Sequence, residues 1–230
     1  MKILNLEARA TLQITLKKSD IDRLPKRIAL FTTIQFLDSL SSIQQQLEKA
    51  GKDVFIDQPR HTKYPGQMLG CSVHEYDCDA FLYIGDGLFH PKALALRNSK
   101  PVYCYDPLAE KFFVLDIKDI EQIKKQQKGA LLKFYHATEI GVLITTKPGQ
   151  HFMRSALQLK KKFPDKKFYF LLSDTIDFSQ LENFNFIECF VNTACPRISF
   201  DDAKRLHKPI VDIGEIEKSL SGFYEKNIKT

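Results

Sequence analysis

Two cysteines each close a short loop marked by glycine or proline, and thiolates in such loops are suited to hold a soft metal. Cys71 ends Pro65-Gly66-Gln67-Met68-Leu69-Gly70-Cys71. Cys195 lies in Val191-Asn192-Thr193-Ala194-Cys195-Pro196-Arg197, with Asp201-Asp202 downstream. Each follows strand-like sequence in its own half of the chain. One cysteine per repeated half is a way to build a metal site at a junction between halves. A disulfide framework or a local zinc knuckle would space its cysteines differently. Two thiolates do not hold an iron–sulfur cluster by themselves: four close a 4Fe–4S site, and three leave one iron open to a substrate. Zinc is the rival, with His74 or His90 as further ligands. Cys104 and Cys189 sit inside apolar strand patterns and read as small buried hydrophobes. Cys78, in Tyr76-Asp77-Cys78-Asp79, stays open between the two roles.

Other loops carry polar groups that could contact a ligand. In Gly85-Asp86-Gly87-Leu88-Phe89-His90-Pro91, two glycines allow close backbone approach, and Asp86 and His90 could touch a polar group. The plainer reading is a strand-to-helix turn with Pro91 at the first helical position. Lys147-Pro148-Gly149-Gln150 places a cation and amides before a helix, which suits a carboxylate or phosphate. It lacks the Walker spacing and reads equally as a capped helix start. Asp201-Asp202 most simply begins a helix, where carboxylates offset the macrodipole, and Arg197 could pair with either. Thr32-Thr33-Ile34-Gln35 follows an apolar strand.

These loops need elements to position them, and the chain spells one plan twice. Ile28 to Thr33, a helical pattern from Asp38 to Ala50 stopped by Gly51, and a strand at Val54 to Ile56 form the first copy. Ile140 to Thr146, a helical pattern from Gln150 to Phe163 stopped by Pro164, and a strand from Phe168 to Leu172 form the second. Continuous apolar strands alternating with amphipathic helices predict parallel sheets covered on both faces. Further strands are expected at Ala80 to Ile84, Pro101 to Tyr105, Phe186 to Val191 and Pro209 to Val211. Asp116 to Ala137 reads as one long helix, and the alternating stretch from Ala10 to Leu16 as an extra strand. The expected fold is α/β with two similar domains, each a small parallel sheet flanked by helices, over residues 1–137 and 138–230. Ligands of such sheets gather at the C-terminal ends of the strands, where the polar loops fall.

The bulk numbers narrow the setting. The 230 residues are 43% hydrophobic, enough for a full core. No apolar run reaches the ~18 residues that span a bilayer, so no membrane association is expected. No signal-peptide pattern opens the sequence, and the five cysteines are odd in number, which points to a reducing, cytoplasmic location. The net charge of +6 comes from lysines spread along helices rather than from a nucleic-acid groove.

Taken together and in this order, Thr32-Thr33-Ile34-Gln35-Phe36, Gly66 to Cys71, Gly85 to Pro91, Lys147 to Gln150, and Asn192 to Arg197 with Asp201-Asp202 resemble the diphthamide synthesis family, 2-(3-amino-3-carboxypropyl)histidine synthase. The resemblance covers nearly the whole chain. It implies three similar α/β domains in family members, each giving one cysteine to a central 4Fe–4S cluster whose open iron binds S-adenosylmethionine. It further implies reductive cleavage to methylthioadenosine and a 3-amino-3-carboxypropyl radical that adds to a histidine of translation elongation factor 2, in a dimeric enzyme. Cys71 and Cys195 correspond to the second and third cluster ligands. The first domain has no counterpart here, and no cysteine precedes Cys71.

Three readings stay open. In the first, the chain is the C-terminal part of a split synthase, and a separate chain supplies the first domain and third cysteine. Cys71 and Cys195 would then hold iron. Lys147 and Gln150, with Gln67 or Gln35, would contact the amino-carboxylate or ribose of S-adenosylmethionine. Asp86 and His90 would line the pocket, and Arg197 with Asp201 and Asp202 would order the Cys195 loop. No residue is assigned as a general base. In the second, the chain is a non-catalytic accessory partner of a full-length synthase or of the elongation factor. In the third, it is a zinc or small-molecule binder that kept the scaffold.

Overall fold

In a computed structural model of the chain, residues 6–70, 73–147 and 152–228 are described. They form two compact units that divide between Ile120 and Glu121.

The first unit contains α1 (Lys18–Asp22), β1 (Arg27–Thr32), a 3-10 segment at Ile34–Ser39 that leads into α2 (Leu40–Lys49), β2 (Asp53–Phe55), β3 (Ala80–Ile84), α3 (Phe89–Arg97), β4 (Val102–Asp106) and β5 (Lys111–Val114). Its sheet runs in the order β2-β1-β3-β4-β5. The first four strands are parallel, and β5 returns antiparallel to β4. That hairpin was not expected from the sequence. Its turn is closed by Asp106, whose Oδ1 accepts from the Leu108 and Ala109 N–H groups at 2.9 and 3.1 Å.

Alternation along the central strands builds two apolar layers. Ala29, Phe31, Phe81 and Tyr83 point into one, while Ile28, Leu30, Leu82 and Ile84 point into the other. Helix α2 covers the second layer with Leu40, Ile43 and Leu47, spaced to share one helical face. Gly51, at φ +80°, ends the turn after it.

The second unit contains β6 (Glu139–Thr145), α5 (Met153–Lys162), β7 (Lys167–Ser173), α6 (Phe178–Leu181), β8 (Cys189–Asn192), α7 (Arg197–Phe200), β9 (Ile210–Asp212) and α8 (Ile213–Ile228), preceded by the long helix α4 (Ile117–His136). Its four strands are all parallel, in the order β7-β6-β8-β9. Counting strands within each unit, this is the second-first-third-fourth order of the first sheet, so the repeat read from the sequence is a repeat of topology. Ile140, Val142, Ile144, Val191 and Val211 face one layer, and Leu143, Phe190 and Ile210 the other. Helix α4 anchors the first layer through Ala130, Phe134 and Ala137. Phe134 meets Phe163 edge-on, with ring centroids 5.1 Å apart. Lys166 Nζ closes the C-terminus of α4 by donating to the Tyr135 and Ala137 carbonyls at 2.8 and 2.6 Å.

Three local expectations are corrected. Residues 10–16 form no strand. They pack along the 3-10 segment and α2, held by side chains and by the Ala10 N–H bond to the Gln35 carbonyl rather than by a ladder. Ser39 Oγ donates to the Leu12 carbonyl at 2.9 Å, and Gln46 Oε1 accepts from the Leu16 N–H at 3.0 Å. Pro91 is the third residue of α3 rather than the first, a place where its missing N–H is still harmless. Of Asp201 and Asp202, only Asp202 stands at a helix start, and that helix is a three-residue 3-10 turn. Asp201 caps the C-terminus of α7, and Asp202 precedes a short 3-10 turn.

Phe134 is fully buried. Its replacement by Ala should cost the second unit about 3–5 kcal/mol, read as an earlier urea midpoint of that unit's transition.

Candidate functional site

The first sheet reverses direction of connection at β1, whose neighbours are β2 and β3. At such a switch point the loops leaving the two adjacent strands diverge and leave a crevice. Thr32, the last residue of β1, is fully buried and ties the two strand ends together, its hydroxyl donating to the Ile84 carbonyl at 2.7 Å. The loop that leads to Cys71 docks on the same spot. Thr32 N–H donates to the Gly66 carbonyl, and Met68 N–H donates to the Thr32 carbonyl, both at 2.8 Å. Gly66 sits at φ +74°, and a Cβ there would fall 2.1 Å from Leu40 Cδ2, so only glycine fits.

Gln67 lies at this edge, paired with Thr32 by an isolated bridge. Its side-chain oxygen turns back to accept from the Lys63 and Tyr64 N–H groups at 2.8 and 3.2 Å. That oxygen shapes the loop. Glu7 braces the loop from outside, taking Lys63 Nζ at 2.6 Å and the Tyr64 hydroxyl at 3.0 Å, with Arg9 at 3.2 Å. Hydrogen bonds from Lys63 first, then from Arg9 and Tyr64, pull the Glu7 carboxyl down to about 2. Gln35 lies half-buried in the 3-10 segment after β1, its carbonyl accepting from Ala10 N–H at 2.7 Å.

Asp86 is exposed in the turn after β3, and His90 is half-buried in the first turn of α3. Tyr83 fixes His90: the hydroxyl lies 3.3 Å from His90 Nδ1, and the rings stack at 5.8 Å. Burial of Tyr83, reinforced by the Asp86 charge, drives its pKa up, so the phenol keeps its proton. A Cβ on Gly70 would meet Phe89 Cζ at 2.4 Å. The residue before Cys71 therefore packs on the ring that opens α3, which joins the two glycine-bearing loops. Gln35, Gln67, Asp86 and His90 thus share the C-terminal edge of the first sheet. Cys71 itself lies outside the described residues.

In the second unit, Lys147 is exposed two residues beyond β6, and Gln150 lies outside the described residues. Cys195 follows β8, the neighbour of β6, and is half-buried. Its loop hangs on Asn192, the last residue of β8. Asn192 Nδ2 donates to the Cys195 carbonyl at 2.9 Å and to Asp212 Oδ1 at 2.6 Å, and Asn192 Oδ1 accepts from Ala194 N–H at 3.0 Å. Ser199 Oγ donates to the same Asp212 oxygen at 2.7 Å. Thr193 Oγ donates to the Leu143 carbonyl at 2.8 Å. Arg197 pairs with Asp201 at 3.1 Å, whereas Asp202 pairs with Arg205 at 3.6 Å.

The two cysteine loops are not equivalent in the repeat. The Cys71 loop connects the second and third strands of its unit, and the Cys195 loop connects the third and fourth. Both still reach a C-terminal strand edge.

Among the described thiols, only Cys195 fits a metal ligand. A ligand must give up its proton, and burial opposes that. Burial pushes Cys104 and Cys189 up to about 12. It also raises Cys78, which is 5% exposed, and settles that residue as part of the core. Cys195 alone is partly open to solvent, on a loop whose backbone is already pinned. Among the described residues, no three His, Cys, Asp or Glu side chains are grouped to hold a metal ion. His74 instead lies 3.3 Å from Asp57. In the second unit the partly open Cys195 thiol and the exposed Lys147 lie beyond strand ends, and in the first unit His90 and the amides Gln35 and Gln67 do.

The sequence matches the diphthamide synthesis protein profile over residues 5–229. The chain belongs to the diphthamide synthesis family. The family member 2-(3-amino-3-carboxypropyl)histidine synthase of Pyrococcus horikoshii is 30% identical over 217 residues, which cover 91% of this chain and 62% of that protein. Subunit 1 of the Caenorhabditis elegans synthase is 28% identical over 85% of this chain and 51% of that protein. A crystal structure of Dph2 from Pyrococcus horikoshii with a 4Fe–4S cluster superposes with a TM-score of 0.75 at 29% identity, covering 88% of this chain and 59% of that one. The family fold is thus the α/β fold described here. This chain spans less than two thirds of the length of these relatives. No helix among the described residues is long and apolar enough to cross a membrane.

Sequence reasoning missed the Asn192–Ser199–Asp212 network, because Asp212 reads only as the polar end of an apolar strand. Desolvation lifts the Asp212 carboxyl from 3.8 to about 6, against hydrogen bonds from Ser199 and Asn192 that favour the charged form. The folded state therefore binds more protons than the unfolded state between those values. Its contribution is greatest below the lower value, falls as pH rises through the window, and is flat above it. Asp212→Asn should erase that slope and raise stability at neutral pH by up to ~3 kcal/mol, read from urea midpoints taken across the window.

Proposed function

We propose that this chain is the C-terminal part of a split 2-(3-amino-3-carboxypropyl)histidine synthase acting in the first step of diphthamide biosynthesis. One observation carries the reading: a half-buried Cys195 thiol on a pinned strand-end loop, in a family with a member whose crystal structure holds a 4Fe–4S cluster. Cys71 and Cys195 each supply a thiolate to the cluster, and a separate chain supplies the first domain with the third. Bound and reduced, a 4Fe–4S cluster supplies the electron that splits S-adenosylmethionine into methylthioadenosine and a 3-amino-3-carboxypropyl radical.

The chain's own residues bind and orient. Lys147, exposed beyond β6, meets the carboxylate of the transferred group, with Gln150 beside it in sequence. His90, oriented by Tyr83, and Asp86 line the pocket for the ribose or amine. Gln35 offers a half-buried amide at the same strand edge as Gln67, whose oxygen is committed to its own loop. The acceptor is a histidine of translation elongation factor 2. The assembly is a dimer or a larger complex, a reading supported by the subunit naming of the Caenorhabditis elegans relative, and it works in the cytoplasm.

The alternative is a non-catalytic accessory partner of a full-length synthase or of the elongation factor. Anaerobic co-expression with a first-domain polypeptide separates the two. The synthase reading expects about four irons per complex and methylthioadenosine release under dithionite. Cys71→Ser and Cys195→Ser should each remove most of the iron, whereas Cys189→Ala should retain it. An iron-free complex that still binds a full-length synthase or the elongation factor would establish the accessory reading instead.

A further inference from the structure

A side-chain amide has two nearly isosteric orientations, and only its partners select one. Asn192 is 1% exposed, so water cannot make that choice. Its oxygen faces the Ala194 N–H at 3.0 Å, and its nitrogen faces the Cys195 carbonyl at 2.9 Å. A flipped amide would set nitrogen against N–H and oxygen against carbonyl, and both loop bonds would be lost.

Asp212 Oδ1 lies 2.6 Å from the same nitrogen. An ionised carboxylate accepts and never donates, so it holds the nitrogen side of the amide toward the loop. The two amide protons are shared among the Cys195 carbonyl, Asp212 Oδ1 and Ser199 Oγ, all on that side. Ser199 Oγ, 3.0 Å from Asn192 Nδ2 and 6% exposed, is kept in step by donating its own proton to Asp212 at 2.7 Å.

We infer that Asp212 is a positioning residue for Cys195: by selecting the orientation of the Asn192 amide, it sets the backbone of the loop that presents the thiol. The inference deepens the reading of Cys195 as a cluster ligand and rests on it for its consequence. The positioning itself is measurable without any metal.

Both bonds from the cluster reach a single oxygen of Asp212. Asp212→Asn keeps an acceptor in that place, and Asp212→Ala removes it. Cys189 opens the same strand, β8, and is fully buried, so it reports general loosening of the sheet. The experiment follows alkylation of the intact chain by iodoacetamide at neutral pH, with each cysteine read by peptide mass spectrometry.

In Asp212→Ala, Cys195 should react about five-fold faster or more, with Cys189 still protected, while Asp212→Asn should stay within about two-fold of the unmodified chain. Should Asp212→Ala fail to fold, Ser199→Ala serves, with a Cys195 rate raised about two-fold and Cys189 protected. Parallel rises at Cys195 and Cys189 would reduce Asp212 to a support of the strand and overturn the inference. So would an unchanged Cys195 rate in Asp212→Ala, or Asp212→Asn reacting as fast as Asp212→Ala. Iron that never loads, with the alkylation pattern intact, would sink the cluster reading alone.

Discussion

Burial of both faces of the central strands is the constraint from which the rest of the molecule follows. Phe31, Phe81 and Tyr83 on one side of the first sheet, and Leu30, Leu82 and Ile84 on the other, leave no room for charge along those strands. The second sheet repeats the condition with Val142, Ile144 and Val191 against Leu143 and Phe190. Polar and ionisable groups are expelled to the strand ends, where backbone hydrogen bonds run out and loops begin. The parallel order places the ends of two adjacent strands side by side in each unit, and chemistry-bearing residues collect there.

The same burial sorts the thiols. A cysteine inside a strand is a small hydrophobe whose proton is held by desolvation, as at Cys104 and Cys189. A cysteine just past a strand end is partly wetted, as at Cys195. What a strand-end loop loses in rigidity, the second unit recovers through buried polar contacts. Asn192, Ser199 and Asp212 are satisfied by one another, and the cost of desolvating Asp212 appears as its raised pKa. In the first unit, the corresponding task falls to backbone bonds between Thr32 and the Gly66–Met68 segment, with Phe89 packed against Gly70.

Much of this was legible without coordinates. Continuous apolar runs such as Ile28 to Phe31 and Ile140 to Ile144 announced parallel strands, and the leucine and isoleucine spacing of α2 announced its covering helix. The two glycine- or proline-marked cysteine loops stood out by composition, and the order of five motifs pointed to the family. Residues 10–16 misled because alternation shows only that one face is buried. It does not say whether a strand or the side chains of a helix will satisfy the backbone. Asp201 misled because two adjacent carboxylates suit either a helix start or pairing with nearby arginines: it ends α7 and pairs with Arg197, while Asp202 starts the 3-10 turn and pairs with Arg205.

The sequence by itself determined the α/β repeat, the family and the residue types at the strand ends, because periodicity and loop composition are local properties. Only the tertiary structure decided which polar side chains hold a loop and which remain for a ligand. Gln67 and Asn192 are both amides in motif loops. One folds back on its own turn, and the other reaches a carboxylate on β9, a strand separated from it by a whole connection. Hydrogen-bond partners brought together by strand pairing leave no period in the sequence, so such choices become visible only once the sheet is built.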